Sequence, residues 1–175
     1  MKRLFIAAAL AAAALAASFA QGAGSDPATQ KAREETAVVF DLGRVFGYLN
    51  AIEKDAKVAA LSRDQLSRLY DIMVEIRSTK RLESSRAKAL LATIEDKILT
   101  SAQLIAVDKL AAGKETEKSS NQAAGAGTGA GSSGGVGSLA SYVAGGDFNP
   151  VLDATKTMGQ DFNAFFEYVR KKIGK

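Results

Sequence analysis

Leu61-Ser62-Arg63-Asp64-Gln65-Leu66 and Leu99-Thr100-Ser101-Ala102-Gln103-Leu104 are one device written twice: leucine, hydroxyl residue, two variable residues, glutamine, leucine. Each is a complete helix-start signal. The Ser62 or Thr100 hydroxyl is placed to accept from the N3 backbone N–H, and the N3 glutamine, Gln65 or Gln103, to reach back to the cap's own N–H. The leucines at N′ and N4, Leu61 with Leu66 and Leu99 with Leu104, can close as a hydrophobic staple. Two such starts, 38 residues apart in one short chain, point to a small all-α protein of capped, amphipathic helices.

The periodicity between and around the caps agrees. Val38, Leu42, Val45, Phe46, Leu49 and Ile52 fall at three- and four-residue steps, which lays an apolar stripe along a helix beginning near Glu35. Gly43 and Gly47 lie four apart on that helix; a close helix crossing and a pair of tolerated glycines are both compatible with the pattern. From Ser62, a second helix carries Leu66, Leu69, Tyr70, Met73, Val74 and Ile76 and ends near Ser78 and Thr79. A weaker start at Leu82-Glu83-Ser84-Ser85 opens a third, with Ala87, Leu90, Leu91, Ile94 and Ile98 as its stripe. Thr100 opens a short fourth through Leu110. A single helix from Ser67 to Ile98 with a polar middle is the competing assignment. The domain so defined spans 35–112, about four short amphipathic helices.

Composition sets the compartment and excludes much chemistry. Lys2 and Arg3 precede an apolar, alanine-rich run, and Ser18-Phe19-Ala20 offers the small residues a signal peptidase reads. Residues 1–20 are therefore expected to be a signal peptide and the protein to be exported, periplasmic or secreted, in a bacterium; the alternative is an uncleaved anchor. Removing Lys2 and Arg3 lowers the formal net charge from +4 to +2, and acids interleave with bases along the helices, so nucleic acid is not an expected partner. The chain has no Cys and no His, which removes disulfides, thiolate nucleophiles, the usual zinc sites and the commonest general base. No phosphate loop, calcium loop or converging carboxylate pair is legible, and adjacent acids such as Glu95 and Asp96 diverge by about 100° on a helix. We expect no enzyme activity, no metal and no cofactor.

Two further segments complete the organisation. Residues 21–34 are small and polar and read as a disordered leader, and 113–137 as a flexible Gly/Ala/Ser linker. Within 138–175, Met158, Phe162, Phe165, Phe166, Val169 and Ile173 form one stripe of a C-terminal helix, with Arg170, Lys171 and Lys172 opposing the negative end of its dipole. Three docking partners are open for that stripe: the protein's own helical core first, a partner's groove second, a membrane surface third.

The paired caps resemble the LTxxQ motifs of the Spy/CpxP family of periplasmic stress proteins, over about Leu61 to Leu110, with Ser62 standing where the first motif has threonine. The resemblance implies an elongated all-α dimer that binds unfolded clients without ATP on a face of mixed basic and apolar side chains. Arg68, Met73, Arg77, Lys80, Arg81 and Lys88 are the residues here that such a face would use; Arg77, Lys80, Arg81 and Lys88 share one side if the helix runs on through this segment. A solvated charged face is the plainer reading of the same residues. Two functions follow: an ATP-independent chaperone or envelope-stress binder, and a structural adaptor of the cell envelope whose tethered C-terminal helix docks on a partner. Both work through protein partners or clients, with a homo-oligomer possible for either.

Overall fold

In a computed structural model, residues 27–124 and 139–175 are described. The signal-peptide expectation, the first six residues of the expected leader and residues 125–137 of the expected linker lie outside them. The described chain is all-α: α1 (Pro27–Ile52), α2 (Arg63–Ser78), α3 (Ser84–Thr93) widening into a π-helical turn at Ile94–Ile98, α4 (Ser101–Ala124), α5 (Leu139–Val143), a 3₁₀ turn at Pro150–Leu152, and α6 (Thr157–Ile173). No β-strand occurs among the described residues; one isolated parallel bridge joins Arg81 to Phe148. No described helix is long and apolar enough to cross a membrane.

α1 is the hub. It touches α3, α4, α5, the 3₁₀ turn and α6, and accordingly buries Val39, Leu42, Val45, Phe46, Leu49 and Ile52, more than one narrow stripe. It also starts eight residues before Glu35, so part of the expected leader is helix. Pro27 suits a first helical position, where its fixed φ helps and its missing N–H costs nothing. Distant residues then hold that helix: Tyr142 donates its hydroxyl to Glu35 at 3.1 Å, and the Ser84 hydroxyl donates to the Glu35 carbonyl.

α2 ends where its periodicity fades, at Ser78 with Thr79 as C-cap, which rules out a continuous Ser67–Ile98 helix. The stop is enforced from a distance. Asn149 Nδ2 donates to the carbonyls of Ile76 and Thr79, both at 2.8 Å, while the backbones of Leu82 and Lys80 pair with Phe148. Arg81 fastens the same seam, donating to the Gly146 and Tyr142 carbonyls and lying 4.5 Å over the Tyr142 ring. At the third start, Glu83 is the N-cap but makes no side-chain cap bond. α4 also overruns its expected end and continues to Ala124, so 113–124 is helix rather than linker. One glycine costs a helix about 1 kcal/mol, and the Lys, Glu and Ala residues around Gly113 are good helix formers.

α6 packs on α1 and α2, and its apolar stripe is core: Phe162, Phe165, Phe166, Val169 and Ile173 are buried, with Phe162 edge-on to Phe46 at 5.0 Å. Of the three docking partners left open above, the protein's own core is the one the stripe meets. Gly43 and Gly47 make the approach close, since a β-carbon on Gly43 would meet the Met158 thioether and one on Gly47 would stand 2.8 Å from Asp161 Oδ2. At Gly159 the obstruction is the Asp153 backbone carbonyl instead. The two sites therefore separate in a mutational test. Gly159→Ala meets rigid backbone and is expected to cost about 1–3 kcal/mol. Gly43→Ala meets the movable end of a methionine and regains about 1 kcal/mol of helix propensity, for a net change near zero. Denaturant midpoints of the two variants check the order; equal losses contradict it.

Candidate functional site

Both predicted caps form, and the structure joins them. Ser62 N–H donates to Gln65 Oε1 at 2.8 Å and Gln65 N–H to Ser62 Oγ at 3.2 Å; Thr100 and Gln103 repeat the exchange at 3.0 and 3.4 Å. Gln65 Nε2 then donates to Gln103 Oε1 at 2.8 Å and to the Ile98 carbonyl at 2.6 Å, while Gln103 Nε2 donates to the Ala59 carbonyl at 3.0 Å. Leu61 and Leu66 are buried; Leu99 and Leu104 are half-buried. The motif residues are a structural joint between two helix starts and two loops.

The expected basic and apolar client face is not assembled. Met73 is fully buried in the core, and the helical continuity that would align Arg77, Lys80, Arg81 and Lys88 ends at Ser78. Arg81 is spent on the α5 seam, and Arg77 lies 4.3 Å over the Phe166 ring, covering core. Arg68 reaches the Lys97 carbonyl at 3.4 Å, at the end of the π-helical turn. Lys80 and Lys88 are exposed on a turn and on α3 respectively. Large exposed apolar side chains among the described residues are Val74, Ile105 and Val143, each on a different helix.

The concave surface lies elsewhere. Phe40, Arg44 and Tyr48 recur every four residues on α1, half-buried, exposed and buried respectively, and form the wall of a groove of about 500 Å³. Lys114 of α4 closes one side; Lys156, Met158 and Asp161 at the start of α6 close the other. A second hollow of about 470 Å³ shares Arg44, Tyr48 and Lys114 with the first, so those three form a saddle between two basins. The saddle is cationic: Arg44 is held by Asp41 at 2.7 Å, and Lys114 Nζ sits 5.4 Å from the centre of the Tyr48 ring. On the first side, Asp153 accepts from the hydroxyl and then the backbone N–H of Thr155, which hold its carboxyl below the usual range.

The second basin is acidic. Asp41, Glu95 and Asp108 face it, and Glu95 is pushed up from the ordinary carboxylate value, first by burial and then by Asp108, Asp96 and Asp41. A carboxyl raised by folding prefers its proton in the native state, so stability grows as pH falls into the range just above ordinary Glu titration and declines as pH rises through it. Glu95→Gln is expected to raise the melting temperature at neutral pH and to flatten its pH dependence over that range. An unchanged pH profile contradicts the assignment. Among the described residues, no three His, Cys, Asp or Glu side chains gather closely enough to hold a metal ion. Local pattern missed this site because α1, α3 with its π-helical turn, α4, the 3₁₀ turn and α6 all contribute to it; its one legible trace is the Phe40–Arg44–Tyr48 spacing. In the comparisons with known proteins, no family model, no curated protein and no solved structure matches this chain.

Proposed function

We propose that this chain is an exported, non-enzymatic helical binding protein that takes one polypeptide segment in the two-basin groove along α1. The observation that carries the reading is the groove's lining: aromatic walls from Phe40 and Tyr48, the adaptable Met158, and cations at a saddle between acidic flanks. Such combinations of aromatic, Met and Arg side chains are what protein interfaces favour over the remaining surface. The burial of the α6 stripe moves the adaptor reading from a tethered helix to this groove. Lys2 and Arg3 before an apolar run that closes on Ser18-Phe19-Ala20 support export. A chaperone without ATP is the second reading, favoured by the paired caps and their resemblance to the Spy/CpxP motifs.

The discriminating experiment pairs a pull-down from the envelope fraction with a light-scattering assay on several unrelated unfolding proteins. One retained product, lost on combining Lys114→Glu with Lys156→Glu and accompanied by no general suppression of aggregation, is the expected result. Both lysines are exposed, so the fold survives the change. Broad suppression that is indifferent to the two lysines selects the chaperone instead.

A further inference from the structure

Sulfur is scarce in this chain, and its placement is uneven. There is no Cys, and the methionines are Met1, Met73 and Met158. A two-electron oxidant that would attack a thiolate first therefore has thioethers as its sulfur targets. Met1 lies outside the described residues. Met73 is fully buried in the core, so its sulfur meets solvent only when the core opens. Met158 is half-buried and lines the first basin of the groove. We infer that Met158 is a site of reversible oxidation by peroxide, and that its sulfoxide oxygen enters the groove.

The packing leaves that oxygen one place to go. Met158 is the second residue of α6, and its thioether fills the space over Gly43, where a β-carbon would collide with Sδ. The α1 backbone closes that side. On the other, the groove of about 500 Å³ has ample room for a peroxide, given that a water takes about 30 Å³. In the reaction, a sulfur lone pair takes one oxygen of hydrogen peroxide, and the S–O bond forms as the O–O bond breaks. The departing hydroxide collects the proton left on the transferred oxygen and leaves as water, so sulfur loses two electrons and peroxide gains them. A thiol-dependent methionine sulfoxide reductase reverses the step, with two thiols joined as a disulfide and the oxygen released as water. Arg44, Lys114 and Lys156 supply N–H donors for the sulfoxide in the same basin. The change exchanges an adaptable apolar wall for a polar one. Weaker capture of a polypeptide follows, a consequence that rests on the binding role proposed above.

Peptide mapping by mass spectrometry, after the purified full chain has been exposed to hydrogen peroxide, tests the site. Met158 is expected to gain its oxygen at least about 10-fold faster than Met73, and the two rates to converge in urea, where burial no longer separates them. Gly43→Ala, whose β-carbon pushes the thioether outward, is expected to raise the Met158 rate by about 2-fold. Two-dimensional NMR of the oxidised chain locates the oxygen: the Phe40 and Tyr48 ring signals move while the Met73 methyl signal stays. Equal rates for Met158 and Met73 in the folded chain overturn the inference, as do shifts spread through the core. Retention of the envelope product reads the consequence, with Met158→Leu as a swap of similar volume that carries no sulfur. Peroxide is expected to lower retention by the wild type alone; an equal loss in both proteins contradicts the role of Met158. A chain that retains no product before oxidation sinks the polypeptide reading, whereas the mapping and NMR results stand or fall without it.

Discussion

Phe162→Ala is expected to lower the unfolding free energy by about 3–5 kcal/mol, and deletion of Met158–Lys175 to abolish cooperative unfolding altogether. The ring of Phe162 is fully buried, edge-on to Phe46 at 5.0 Å and stacked with Phe166 at 6.5 Å. Losing it removes apolar burial, leaves a cavity and forfeits the aromatic pair. A domain of this size holds about 5–15 kcal/mol in all, so one such cavity consumes much of the margin. The deletion strips Phe162, Phe165, Phe166, Val169 and Ile173 from the interior at once and uncovers Phe46 and Tyr70. Urea unfolding followed by circular dichroism checks both. Lys171→Ala, on the exposed side of the same helix, serves as the control, with a change within about 0.5 kcal/mol. A truncated chain that melts as the full one does would return α6 to the role of a tethered arm.

That outcome was half legible in the residues. The stripe from Met158 to Ile173 announces an amphipathic helix by spacing alone, and the basic last turn announces its C-terminal end. What it docks on is a long-range fact. The trace was there in Gly43 and Gly47, but the same pair reads equally as tolerated glycines until Met158 and Asp161 are seen to lie against them. Local chemistry served best where partners are local: Ser62 with Gln65 and Thr100 with Gln103 set two helix starts to the residue. It served worst at the boundaries that distant residues decide. Tyr142 and Ser84 hold the Glu35 end of α1, and Asn149 and Phe148 stop the chain between α2 and α3. That interruption is also what dismantles the basic face, since a periodic row of cations becomes a surface only if the helix beneath it runs on. The groove escaped for the same reason. Its walls meet only after α1, α3, α4 and α6 have packed.

Gln103→Ala is expected to cost about 2–4 kcal/mol, well beyond the roughly 1 kcal/mol of an ordinary cap. The difference lies in how much of the hydrogen-bonding capacity of this one amide is used. Its oxygen accepts from Thr100 N–H and from Gln65 Nε2, its nitrogen donates to the carbonyls of Ala59 and Ala60, and the residue is 1 % exposed. Truncation strands those partners where water reaches them poorly, and an unmet buried polar group costs more than the bond it made. Gln65 is only half-buried, so water can replace part of what Gln65→Ala removes, and that variant is expected to lose about 1 kcal/mol. Because Gln65 and Gln103 bond each other, the double variant should lose less than the two single losses added together, with a coupling of about 0.5–3 kcal/mol. Chemical denaturation of the four proteins closes the cycle. Strict additivity, or a Gln103 loss no larger than that of Gln65, would mean that the two motifs act as separate caps. A measured coupling would mean that the repeated motif holds the α1–α2 loop and two helix starts as one joint.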